Sequence, residues 1–143
     1  MDLGESELAI REAKAWLKAG KILKENGLYS KALYSLEMSL EVSMKGVLIA
    51  MHKNYPKRHD VSDVLEAIIP ANEKRLPPDF VESFAKTVKM FRNFLRLRNL
   101  AGYSFEDEVR EEVFESSVMK SFSDIERCVA LSEKAVAALS RRR

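Results

Sequence analysis

Cysteine is nearly absent from this 143-residue sequence: Cys128 stands alone. A single thiol forms no intrachain disulfide, so a reducing, cytoplasmic setting is expected. Histidine is almost as scarce, at His52 and His59. With one Cys, two His and no ligand-spaced cluster, no metal site is expected. No glycine-rich phosphate loop and no nucleophile elbow occurs, and no cofactor is expected. Met38, Met44 and Met51 are read as packing residues. Five glycines and four prolines leave little material for turns and point to long helices. No apolar run reaches the ~18 residues of a membrane span. The first 25 residues are charged throughout, unlike a signal peptide. The net charge of +2 excludes a strong global attraction to nucleic acid but leaves room for a local basic patch.

What is present is the composition of a folded domain: 46% hydrophobic and 32% charged residues. The length favours one domain over residues 1–143. The spacing predicts an all-α, up-and-down bundle of about five helices. The first runs roughly from Glu5 to Asn26, with Ala9, Ala13, Trp16, Leu17, Gly20 and Leu23 on its buried stripe and Gly27 as its stop. The second runs from Lys31 to Lys53 behind a Ser30 cap. A turn, residues 54–59, precedes a short third helix capped by Asp60 or Ser62 and ending near Pro70. Residues 71–78 read as a polar connection. The fourth helix spans Asp79 to Leu100, Gly102 to Phe105 form a loop, and the fifth runs from Asp107 to Ser140. A break near Ser121 to Asp124 is left open, but Val118, Phe122, Ile125, Val129, Ser132, Val136 and Leu139 form one unbroken stripe that argues for continuity at least from Glu115.

The second helix carries an ambiguous pattern. From Leu36 to Lys45 apolar and polar residues alternate, which normally signals a strand. Leu, Met, Glu and Lys favour helix, no turn residue bounds the run closely, and the same residues sort cleanly at 3.6 per turn. Leu33, Leu36, Leu40, Met44, Val47 and Met51 form one apolar stripe; Tyr34, Met38, Val42 and Ile49 form a second. Ala32, Ser35, Ser39, Ser43, Gly46 and Ala50 form a stripe of small residues, and Glu37, Glu41 and Lys45 occupy the remaining side. A helix apolar on two sides is surrounded. It is expected at the centre of the molecule, either with a second subunit as one neighbour or as a fully internal helix of a monomer, the first being preferred.

On the fourth helix Val81, Phe84, Val88, Phe91 and Leu95 follow helical spacing, and the next position on that stripe is Arg98. A guanidinium there needs a polar cleft or a partner charge, because burying it alone is costly. Glu41 is one partner open to it, in a buried or interfacial ion pair that would make Arg98 structural; a cleft ligand is the other. Lys86, Lys89, Arg92, Asn93 and Arg96 share another side of this helix. They read as a solvated face or as a track for a phosphate backbone. The tail, residues 141–143, reads as a solvated end.

Two resemblances follow from these segments. Trp16, Gly20, Gly27, Tyr29 and Ala32 stand at the spacing of one tetratricopeptide repeat, which would imply a protein-interaction adaptor. That repeat's second helix should end near Met44, no second copy follows, and such arrays generally need at least ~3 units. More of the chain resembles a HEPN domain. Residues 13–18 and 27–32 look like the family's opening hairpin. Residues 41–45 look like its Glu-x-x-x-Lys segment, and His59-Asp60-Val61 is similar to its His-Asp-Leu turn. Arg98 and Asn99 fall where its functional Arg motif belongs, at the end of the fourth helix.

That resemblance implies a helical bundle, a homodimer with two Arg motifs facing a shared cleft, and in some members a minimal nucleotidyltransferase partner in a toxin–antitoxin pair. Many members are metal-independent ribonucleases in which the motif Arg is followed a few residues on by a His. This sequence has Tyr103 there. Tyrosine, with an ordinary pKa of about 10, is a poor base at neutral pH. His59 reads as a turn residue beside a helix cap, and His52 as a surface or interface residue. The expectation is therefore a non-catalytic or weakly active module that binds a partner, a nucleotide or RNA. Arg98, Asn99, Tyr103, Lys89, Arg92, Arg96 and Glu41 are its candidate ligand-binding residues. The alternative is a divergent endoribonuclease toxin using Arg98, Asn99 and Tyr103.

Overall fold

The computed structural model describes residues 2–52, 54–55, 57–102 and 111–141. Five α-helices occur among them: α1 (Asp2–Glu25), α2 (Tyr29–Ala50), α3 (Ser62–Ile68), α4 (Pro78–Gly102) and α5 (Glu111–Arg141), with a 3-10 segment at Pro70–Arg75. No strand occurs among the described residues. The molecule is the expected all-α bundle, and none of its described helices is long and apolar enough to cross a membrane.

The α1–α2 hairpin is set by Gly27, at φ 73°. That left-handed residue closes α1 by two hydrogen bonds. Gly27 N–H donates to the Lys24 carbonyl at 3.1 Å and Leu28 N–H to the Leu23 carbonyl at 2.9 Å. The start of α2 differs from the sequence reading. Ser30 lies inside the helix, and its backbone N–H donates to Glu111 Oε1 of α5 at 3.0 Å. A carboxylate at a helix N-terminus meets both an orphan donor and the positive end of the dipole. The end of α2 also differs. The helix stops at Ala50, and His52 adopts φ 59°, a left-handed conformation that ends the turn before the expected Lys53. Lys53 itself lies outside the described residues.

Helix α2 is central, packing on α1, α4 and α5. Leu33, Leu36, Leu40, Val47 and Leu48 are fully buried. Its small-residue stripe faces α1. A Cβ added to Gly46 would stand 3.3 Å from Ala9 Cβ, and one added to Gly20 of α1 would stand 2.7 Å from Leu36 Cδ2. Buried Ser39 and Ser43 satisfy their hydroxyls by donating to the Leu36 and Leu40 carbonyls at 2.7 and 2.9 Å. The second stripe is left partly open: Tyr34 is exposed, and Met38, Val42 and Ile49 are half-buried.

One further expectation is corrected. Residues 71–78 are not simply a connection, since Pro70–Arg75 form the 3-10 segment, tied by Asn72 N–H to the Ile69 carbonyl at 2.9 Å. The continuity argued for the fifth helix holds: α5 runs unbroken from Glu111 to Arg141. Phe114, Val118, Ile125, Val129 and Leu139 of its stripe are buried and Phe122 is half-buried against the core, so the apolar face continues past Ser121. The expected start at Asp107 lies outside the described residues. On α4 the buried face is wider than the expected stripe, because Phe94 and Leu97 are buried while Val81 and Leu95 are only half-buried.

Candidate functional site

Glu37, Glu41 and Lys45 recur every four residues on α2 and so share one side of it. That side meets the C-terminal end of α4, where Arg98 enters. Arg98 Nη1 lies 3.2 Å from Glu37 Oε2 and 3.4 Å from Glu41 Oε1, and its side chain is 12% exposed. The ion pair with Glu41 that the sequence left open is present. Arg98 also packs over Tyr34, its guanidinium carbon 4.5 Å from the ring centroid, and Nη2 donates to the Tyr34 hydroxyl at 3.1 Å. Lys45 Nζ donates to the second Glu41 oxygen at 3.0 Å.

The turn after α2 brings in His59. Its Nδ1 lies 3.1 and 3.2 Å from the two Glu41 oxygens and 3.0 Å from Arg98 Nη1. Nδ1 thus faces both the Glu41 carboxylate and the Arg98 guanidinium, on a ring whose side chain is 58% exposed. The sequence reading of His59 as only a turn residue is therefore corrected. Its neighbour Asp60 does act locally, as expected. Asp60 Oδ1 accepts from Ser62 N–H at 3.0 Å and from the Ser62 hydroxyl at 2.6 Å.

Glu37 is fully buried, and its Oε1 finds no donor. Burial pushes its carboxyl up to about 8, the adjacent Glu41 adds to this, and Arg98 opposes it. Glu37 thus holds a proton at neutral pH. A neutral Glu37 explains how two carboxyls with a single guanidinium at hand tolerate burial. With Glu37 neutral, Arg98 and Lys45 outweigh Glu41, and the cluster keeps a net positive charge.

The remaining candidates lie elsewhere. Asn99 is exposed at the end of α4, and Tyr103 lies outside the described residues. Lys89, Arg92 and Arg96 are exposed on the other side of α4. At about 100° per residue, Arg98 is turned roughly 180° from Lys89. Arg92 donates to Ser62 Oγ at 3.0 Å and pairs with Glu66. Arg96 donates to Asn93 Oδ1 at 2.8 Å, and Lys86 faces Asp124 at 3.5 Å. Arg92 and Lys86 are thus neutralised by acids, Arg96 meets only an amide, and the face is turned away from Arg98. Of the two larger surface grooves, one of about 500 Å³ is lined by Ile10, Lys14, Glu133 and Val136. The other, of about 430 Å³, is lined by Ile69, Phe84, Val88 and Arg92. Neither includes Arg98, whose cluster is an open surface site. No group of side chains suited to a metal ion occurs among the described residues.

Sequence reasoning missed Tyr34, Glu37 and His59. The repeat Glu37–Glu41–Lys45 was visible as a polar side of an otherwise apolar helix, and a central helix must bury part of that side. Comparison with curated proteins returns no match. The family model of the HEPN domain matches residues 6–142, nearly the whole chain. With a bundle around a central α2 and the Arg98 cluster at the end of α4, the chain belongs to the HEPN domain family.

Proposed function

We propose that this HEPN domain is a binding module whose Arg98 cluster takes a phosphate group of a nucleotide or RNA. The observation that supports it most is the fixed arginine. Two carboxyls and a tyrosine ring hold Arg98 in place, and its exposed flank carries His59 and Tyr34, both able to hydrogen-bond a phosphate oxygen. Prior positioning lowers the ordering cost of binding. By family resemblance the module is a homodimer with two such sites in a shared cleft, and its protein partner is a minimal nucleotidyltransferase of toxin–antitoxin type. Titration with a fluorescent nucleoside monophosphate tests the site. Tyr34→Phe and His59→Ala should each weaken binding with little change in melting temperature, and unaltered affinity in both variants would remove the cluster from the ligand.

A second reading, a metal-independent endoribonuclease, draws support from one observation: His59 stands between Glu41 and Arg98, although the motif position holds Tyr103. His59 Nε2 would take the 2′-hydroxyl proton as the O2′–P bond forms and the P–O5′ bond breaks. Arg98 would stabilise the phosphorane oxygens, and solvent would protonate the leaving oxygen. RNA cleavage in the presence of a chelator, lost in both His59→Ala and Arg98→Ala, would select this reading. Intact RNA after prolonged incubation selects the binding module.

A further inference from the structure

The Arg98 cluster does not end at Glu41. Lys45, which bonds Glu41, also stands 5.6 Å over the Tyr55 ring, and Lys57 stands 4.9 Å from the centroid of that ring. At the other end, Tyr34 meets Trp16 edge-on, with ring centroids 6.4 Å apart. Residues from α1, α2, α4 and the turn after α2 thus form one continuous surface strip. From the structure we infer that this strip, running through Tyr34, Arg98, His59, Lys45, Tyr55 and Lys57, is a track for single-stranded nucleic acid.

The chemistry follows from the alternation of rings and cations. A single strand offers base faces and phosphates in regular alternation, and proteins that bind it pair aromatic platforms with cations. Tyr34 and His59 are exposed rings, Tyr55 is half-buried against the core, and Arg98, Lys45 and Lys57 supply charge beside them. Lys57 is exposed, so its contact with the Tyr55 ring is weak and replaceable. A base stacking on that ring would displace the ammonium onto the neighbouring phosphate. A duplex keeps its base faces inside the stack and cannot use the rings. Two carboxyls lie beneath the strip: Glu37 is fully buried against Arg98, and Glu41 is nearly fully buried behind Lys45 and His59. The basic face of α4 differs: Arg92 and Lys86 are paired with acids, and Phe84, the ring beside Lys89 and Arg92, is buried.

This inference rests on the reading of Arg98 as a phosphate site and extends it along the surface. The test is fluorescence anisotropy of the full chain with a short labelled oligouridylate, with a labelled RNA duplex of the same length, and with a fluorescent mononucleotide. The single strand should bind more tightly than the duplex. Tyr55→Ala should weaken the single strand by roughly tenfold, the effect of losing one stacked base. Lys57→Ala should flatten the salt dependence by about 0.7 of a log unit per log unit of salt. Lys89→Ala, on the opposite side of α4, should change neither quantity. Lys57 is exposed, whereas Tyr55 is half-buried against the core, so a circular dichroism melt and a Tyr55→Leu variant, which keeps apolar packing but removes the ring, separate loss of stacking from loss of fold. Equal binding of strand and duplex, or a silent Tyr55→Ala, overturns the track. The underlying phosphate site is tested separately by mononucleotide affinity in Tyr34→Phe and His59→Ala. If those variants lose the mononucleotide while Tyr55→Ala leaves the oligonucleotide unaffected, the site stands and the track falls. If Tyr55→Ala weakens the oligonucleotide while they bind the mononucleotide normally, the track stands without the site.

Discussion

A carboxyl buried beside a second carboxylate keeps its proton because water is not there to solvate its charge. Glu37 is in that position, pushed up to about 8 from 4.5. In the unfolded chain it ionises near its ordinary value, so between about pH 4.5 and 8 the folded state binds the extra proton. Stability contributed by this group is complete below that window and is lost as pH rises through it, by at most ~1.4 kcal/mol per pH unit. Urea melts at several pH values should show that decline, and Glu37→Gln should flatten it; an identical slope in the variant would show that Glu37 is ionised in the fold. Arg98 is coupled to the same group. Arg98→Ala removes the guanidinium from two buried acceptors and should cost roughly 3–5 kcal/mol, the range for breaking a buried pair. In the Glu37→Gln background the cost should be smaller by about 0.5–3 kcal/mol, because contacting residues are not additive. Strict additivity in the double-mutant cycle would mean that the two side chains do not interact. Of this cluster, Arg98 and Glu41 were legible in the sequence, because a charge on an apolar stripe demands a partner. Tyr34 was hidden because its ring also suits an apolar stripe. His59 was hidden because it stands 39 residues from Arg98 and reaches it through a turn, which no local periodicity reports.

At the scale of elements, the packing of α1 on α2 depends on side chains that are missing rather than present. Ser39 is fully buried with its hydroxyl returned to the Leu36 carbonyl. Ser39→Leu should overpack the helix and cost roughly 1–3 kcal/mol in a denaturation experiment. A neutral result would contradict the burial of that face. The identity of α2 was readable from sequence despite its period-two stretch, since helix propensity and the three stripes agreed against it. Its two ends were not readable. The start is stabilised by Glu111, a residue 81 positions away, and Ser30 is therefore free to lie inside the helix. The end is set by a non-glycine residue, His52, in the left-handed region, which composition does not announce. The 3-10 segment after α3 was likewise invisible, because short helices of this kind carry no amphipathic period long enough to count.

At the scale of the whole molecule, one face of α2 is left over. Tyr34 is 38% exposed and Met38, Val42 and Ile49 are half-buried, while every other long stripe of this helix is covered by α1, α4 or α5. A central helix that shows apolar side chains at the surface has a face suited to a partner. This face begins at Tyr34, which is also a member of the Arg98 cluster. A second copy docked there would place two Arg98 clusters near the same symmetry axis, since a twofold contact joins the same patch on both subunits. Sedimentation at micromolar concentration should therefore give about twice the 16.3 kDa chain mass. Val42→Glu, at a half-buried position away from the intramolecular packing of α1, should shift the equilibrium to monomer without unfolding the bundle. Because each cluster would border the other across the axis, the same substitution should weaken nucleotide binding in step with the loss of dimer. A wild type that sediments as a clean monomer removes the shared cleft. A Val42→Glu monomer with undiminished nucleotide affinity would show instead that each Arg98 cluster is complete within its own chain.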